Sequence, residues 1–185
     1  MRLTRPTPLK RDLAMSDLHG NLLSLAEQLL AMRGLGSATR RRAVSTAYYA
    51  VFHRLADLCA RRISGSAPSE PEFQAAYRIL DHGSAAQALV SNAEFRPLGA
   101  TFKRLLDARA KADYVVISRK TESGVRGGPG FSKVEAADWV EQARSLVSAI
   151  DALDLGAKRR LAILLILDGR SGRRRPSPSH VVTEA

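Results

Sequence analysis

The chain is poor in several residue types on which common functions depend. It has one cysteine, Cys59, among 185 residues. A lone cysteine excludes an internal disulfide and a thiolate metal cluster, and it suits a reducing compartment. Aromatic side chains make up only 5% of the chain, and an Ala- and Leu-rich pattern with few aromatics favours helices over sheet. Long apolar runs are missing as well. The longest, "LAILLILDG" from Leu161, falls far short of the roughly 20 residues a membrane-spanning helix needs. The N-terminus is basic but has no apolar core, so it does not read as a secretory signal. A cytoplasmic protein without a membrane partner is the resulting expectation. Histidine is scarce too: His19, His53, His82 and His180 have no carboxylate cluster around them and no metal-ligand spacing. No metal or cofactor is expected. There is no Gly-x-Ser-x-Gly elbow and no nucleotide-binding glycine fingerprint. "SGVRGGPG", with Arg126, lacks the Gly-Lys-Ser/Thr ending of a phosphate loop and reads as a connector.

Acidic residues are outnumbered, 18 against 29 basic, for a net charge of +11. The excess is concentrated at the ends. Residues 1–14 contribute +3, residues 158–185 contribute +5, and the long stretch between them only +3. Residues 1–14 read as a basic N-terminal extension, because Met15 precedes a helix start, "MSDLHGN". Residues 171–185, rich in Pro, Ser and Arg, read as a disordered basic tail. Arg173, Arg174 and Arg175 in that tail could bind nucleic acid by counterion release. Arg40, Arg41 and Arg42 could do the same. Three cations at a helix start oppose the helix dipole, which points to an anion or acidic partner there, or to a plain solvated surface.

What fills residues 15–170 is a series of apolar seams at 4-3-4-3 spacing, the mark of packed helices. The first seam is Leu18, Leu22, Leu25, Leu29 and Met32, opened by Ser16 as N-cap. The second is Val44, Tyr48, Val51, Leu55 and Leu58, with Tyr49, Phe52, Ala56, Cys59 and Ile63 widening it. That width predicts a central helix, from Ser37 to the linker "SGSAPSEP". A shorter helix over "EPEFQAAYRILD" is expected to end at His82-Gly83, followed by a short apolar stretch, "AAQALV". A helix from Phe95 to Tyr114 comes next. Beyond a loop, a helix carries the seam Trp139, Ala143, Leu146, Ile150 and Leu153, and "AKRRLAILLILDG" forms the last. Only "YVVIS" suggests a strand. The expected fold is all-α, an antiparallel bundle of five to six helices.

One residue is out of place in these seams. In the helix ending at Tyr114, Leu98, Phe102, Leu105, Arg109 and Ala112 form one register, and Phe95, Gly99, Phe102, Leu106, Arg109 and Asp113 form another. Arg109 belongs to both, so it cannot point straight into solvent. A buried guanidinium costs several kcal/mol unless paired. Asp113, one turn on, is the nearest partner. Either the two form an internal ion pair, or Arg109 is presented in a cleft to bind an anion bidentately.

Three segments carry a family likeness: "RRAVSTAYYAVFHRLADL" (Arg41 to Leu58), "YRILDHG" (Tyr77 to Gly83) and "RAKADY" (Arg109 to Tyr114). Together they resemble the HEPN domain family, helical bundles found in prokaryotic toxin–antitoxin and defence systems and in RNA-processing enzymes. The resemblance implies an RNA-associated protein and a homodimer. It also implies a cognate antitoxin or a nucleotidyltransferase-type partner protein. Active members resemble one another in an Arg–His pair separated by four to six residues, and cleave RNA without a metal. Arginine stabilises phosphorane charge and histidine moves protons near neutral pH.

This chain departs from that pattern. The positions where the His would fall after Arg109 hold Tyr114, Val115 and Val116. In the tail, Arg173, Arg174 and Arg175 have that spacing to His180, but a Pro/Ser-rich segment cannot hold two side chains at reacting distance. The candidates for the site are therefore Arg109, Asp113 and Tyr114, with His53 and His82 as replacements for the imidazole. His53 shares a helix face with Tyr49, although a buried, hydrogen-bonded role would explain it as well. His82 reads as a cation at a helix C-terminus beside Gly83. Tyr114 is a poor base, with a reference pKa near 10. Two other readings remain: a non-catalytic module for dimerisation and partner binding, and a bundle that binds a nucleotide or small anion.

Overall fold

A computed structural model describes residues 17–32, 36–115 and 130–169. Those residues are all-helical, with no strand among them. The elements are α1 (Leu18–Ala31), α2 (Ser37–Ser64), α3 (Pro71–Tyr77), α4 (His82–Ser91), α5 (Arg96–Tyr114), α6 (Lys133–Ala152) and α7 (Leu155–Gly169). The tails, Arg126 and most of "YVVIS" lie outside the described residues, as does Ser16; Asp17 stands at the N-cap of α1.

Helix α2 is the axis of the bundle. It packs against α1, α3, α5, α6 and α7. Val44, Tyr48, Val51 and Leu55 are fully or almost fully buried along it. The alanines Ala43, Ala47, Ala50 and Ala56 are sealed as well, and such small side chains let neighbouring helices approach closely. The sequence places α2 correctly at both ends. It stops at Gly65, whose φ of 61° is the left-handed cap geometry that glycine adopts without strain.

Two expectations are corrected. Among the described residues seven helices stand where five or six were read, because residues 70–91 divide in two. Asp81 causes the division: its carboxylate accepts from the amides of Gly83 and Ser84 at 3.1 and 2.9 Å, which opens a new helix at His82. His82 is thus the first residue of α4 and not a cation closing α3. The second correction concerns α1. Leu18, Leu25 and Met32 of the predicted seam are exposed, whereas Leu23, Ala26, Leu29 and Leu30 pack on the core. The segment is apolar on more than one face, and docking selects the face with the small Ala26.

The approach of α4 to α5 depends on Gly99. A Cβ there would lie 2.6 Å from the backbone carbon of Leu89 and 2.7 Å from the amide of Val90, closer than atoms pack. Glycine therefore allows the contact that brings His82 towards the C-terminal half of α5.

Candidate functional site

The site is built on one face of α2. Ser45, Tyr49 and His53 stand four residues apart, and Tyr48 and Phe52 form a second four-residue step beside them, so the five cover one side of the helix. Across from them α5 presents Arg109 and Asp113, α4 presents His82 and α3 ends on Tyr77.

Arg109 is held from several directions. Its Nη2 donates to Tyr49 Oη at 2.6 Å, and Nε lies 2.9 Å from Asp113 Oδ2. The Nε–H is not directed at that oxygen, and it has no other acceptor among the described residues. The contact is an ion pair and not a well-aligned hydrogen bond. Asp113 Oδ2 also accepts from Ser45 Oγ at 3.1 Å, so the carboxylate is pinned to α2. The guanidinium carbon sits 5.3 Å from the Tyr49 ring centroid and 5.2 Å from that of Tyr114, within cation–π range. Burial works against the charge. The Tyr49 hydrogen bond and the neighbouring Tyr49, Tyr114 and Asp113 outweigh burial and raise the pKa above the ordinary arginine value. With 17% of its side chain accessible, Arg109 is a fixed, partly exposed cation. The Arg109–Asp113 pair of the first sequence reading exists, and the arginine is not sealed.

Both candidate histidines join this cluster. His82 Nδ1 lies 2.6 Å from Tyr48 Oη, and its ring packs 3.9 Å, centroid to centroid, from Phe52. Burial lowers its pKa first, and the Arg109 charge lowers it further, with Asp81 opposing. His53 Nδ1 lies 2.8 Å from Tyr77 Oη. Its pKa is lowered by burial and then by His82. The partner hydroxyls stay protonated: burial pushes Tyr77 up to about 12 and raises Tyr48 as well. Each pair is satisfied by either tautomer, and neither Nε2 has a partner among the described residues. Two neutral imidazoles thus stand in Tyr–His pairs beside Tyr49, whose ring centroid is 6.1 Å from His82 and 6.2 Å from His53.

Two of the three arginines at the start of α2 have hydrogen-bond partners that the sequence did not reveal. Arg41 Nε donates to the carbonyl of Ala112 at 2.6 Å, one of the orphan carbonyls in the last turn of α5. Arg40 Nε donates to the carbonyl of Phe131 at 2.6 Å. Arg42 is exposed. The unfavourable start of one helix therefore complements the negative end of another. Beside that junction lies a groove of about 490 Å³, lined among others by Arg41, Arg42, Asp113 and Tyr114. Arg173, Arg174 and Arg175 lie outside the described residues.

Sequence reasoning missed Ser45 and Tyr77, and it read Tyr49 as widening the apolar seam of α2, without its bond to Arg109. The signal for Ser45 was there: Ser45, Tyr49 and His53 stand four residues apart, the spacing of one helix face. Among the described residues no group of three His, Cys, Asp or Glu side chains is arranged to hold a metal ion. None of the helices there is long and apolar enough to cross a membrane. Comparison with protein-family models, with curated proteins and with solved structures returns no match.

Proposed function

We propose that this chain is a HEPN-like, RNA-associated domain in which Arg109 engages an RNA phosphate and His82 supplies the imidazole absent after "RAKADY". The observation that carries the reading is the convergence on Tyr49 of a partly exposed, permanently charged guanidinium and two imidazoles that burial keeps neutral. An imidazole in its neutral form can take the proton of a ribose 2′-hydroxyl. The freed oxygen attacks the adjacent phosphorus, and Arg109 stabilises the added negative charge on the phosphorane. The 5′-oxygen then leaves with the proton that the imidazolium gives up, and the imidazole returns to its neutral form. The products are a 2′,3′-cyclic phosphate and a 5′-hydroxyl, and no metal takes part in the step. Arg41 and Arg42, and the basic tails, add phosphate affinity. A toxin–antitoxin or defence role, with a cognate antitoxin or nucleotidyltransferase-type partner and an α5-to-α5 homodimer, belongs to the same proposal through the family resemblance.

The deciding experiment is cleavage of end-labelled RNA by the purified protein in EDTA, alongside Arg109→Ala and His82→Gln. The expected result is cyclic-phosphate ends that disappear in both variants. Product ends that persist in folded Arg109→Ala sink the assignment.

A second reading rests on Asp113. Its carboxylate already neutralises Arg109 and is itself tied to Ser45, an arrangement suited to fixing α2 against α5 in a non-catalytic dimerisation module. That reading is favoured if the wild-type protein sediments as a dimer and leaves RNA intact.

A further inference from the structure

The rings and cations of the site form a continuous stacked row. It runs from Phe73 to Tyr77 at 5.9 Å, to His53 at 5.8 Å, to Tyr49 at 6.2 Å, and on through the Arg109 guanidinium to Tyr114. The row starts in the core, since Phe73 is 1% exposed, and it ends at the surface, since Tyr114 is 69% exposed. One side of Tyr114 is engaged by Arg109, and at that exposure the rest of the ring is open. The ring borders the groove of about 490 Å³ that also carries Ala38, Arg41, Arg42 and Asp113.

We propose that this groove is a nucleobase subsite for single-stranded RNA. Tyr114 stacks one base, and Arg41 and Arg42 meet the phosphates that flank it. The inference rests on the RNA reading above and adds what is recognised and where. An aromatic face accepts any base, and arginine beside it supplies backbone charge, the combination that single-stranded nucleic acid uses. A duplex would present no free base face. The groove has the volume of a small-ligand site, room for one nucleotide unit and not for a helix. Arg41 is fixed in place by its bond to the Ala112 carbonyl, and its two terminal amino groups have no hydrogen-bond partner among the described residues. The one acid in the groove does not repel phosphate strongly, because Asp113 Oδ2 is already engaged by Arg109 and Ser45.

The test uses the full chain and a labelled single-stranded 2′-O-methyl RNA, which lacks the nucleophile for cleavage, with affinity read by fluorescence anisotropy. Tyr114→Ala is expected to weaken binding roughly tenfold, while Tyr114→Phe binds like wild type. Arg42→Ala is expected to flatten the salt dependence by about one phosphate contact. On an oligomer of the same backbone without bases, Tyr114→Ala should change nothing. Melting temperatures of the variants confirm that each is folded.

Equal binding by wild type and Tyr114→Ala overturns the subsite and leaves the RNA reading standing. The same follows if Tyr114→Phe loses as much as Tyr114→Ala, or if the baseless oligomer shows the same loss. Absence of binding by wild type at low salt overturns the RNA reading itself, and the subsite with it.

Discussion

Tyr49 Oη accepts a hydrogen bond from Arg109 Nη2 at 2.6 Å while the Tyr49 ring lies under the same guanidinium, 5.3 Å from its central carbon. One side chain of α2 thus satisfies a donor and a charge on α5, sixty positions away in sequence. Removing only the oxygen separates these two effects. Tyr49→Phe keeps the ring and loses the bond. The expected cost is about 1–2 kcal/mol, the range for a hydrogen bond to a charged group reduced for partial exposure. Urea denaturation of the two proteins measures it, and an unchanged midpoint would show that solvent replaces Tyr49 without loss.

Arg109 and Asp113 are coupled both as charges and through Ser45. A double-mutant cycle with Arg109→Met and Asp113→Asn is expected to give a coupling of about 1 kcal/mol, because both side chains retain some contact with water. Arg109→Met preserves much of the packing volume and should remain folded. If Arg109 serves the structure alone, the methionine variant keeps any RNA activity. If it engages phosphate, that variant loses activity under conditions where it is still fully folded.

Acid should destabilise the fold through the histidines. His19, His53 and His82 all have folded-state pKa values below the ordinary 6.5, each with burial as the leading cause. Above 6.5 both folded and unfolded chains are neutral at these positions, and they impose no penalty. As the pH falls through 6.5 the unfolded chain binds protons first, so stability declines until the folded histidines are protonated as well. The urea midpoint is therefore expected to drop between pH 7 and pH 5. His82→Gln should make that drop shallower, also by removing the neighbour that lowers His53. A midpoint that is flat over this window counts against buried neutral imidazoles.

Gly99→Ala tests how the fold positions the site. Alanine is the better helix former by about 1 kcal/mol. That gain is outweighed by its Cβ, which would meet the Leu89 backbone at 2.6 Å, and overpacking of this kind costs about 1–3 kcal/mol. A net loss of stability is expected, and α4 must move away from α5. Any RNA cleavage should fall further than stability alone predicts, because His82 travels with α4. Thermal melts and cleavage rates on the same samples distinguish the two losses.

The legible part of this protein was its periodic part. The apolar spacing of Val44, Tyr48, Val51 and Leu55 reports a helix face directly, since helix geometry is local, and the width of that face announced a central helix. The double register of Arg109 marked it as the unusual residue, and Asp113 one turn away was its partner by the same geometry. Two local choices were not decided by pattern. "LDHG" reads equally as a helix ending at glycine or as Asp81 capping a new helix, and α1 offers apolar residues on more than one face. The Asp81 cap and docking onto α5 and α7 settled the first, and docking onto α2 settled the second.

The sequence by itself determined that the chain folds as helices, that α2 lies at their centre, and that a charged arginine stands where a core residue is expected. Each follows from interactions within a few turns of one helix. Only the tertiary structure decided the composition of the site. It brought Tyr49 of α2 onto Arg109, tied Asp113 to Ser45, paired His82 of α4 with Tyr48 and His53 with Tyr77 of α3, and matched Arg41 at the start of α2 to the carbonyl end of α5. Those contacts span tens of residues and depend on close approaches such as the one at Gly99, which no local spacing records.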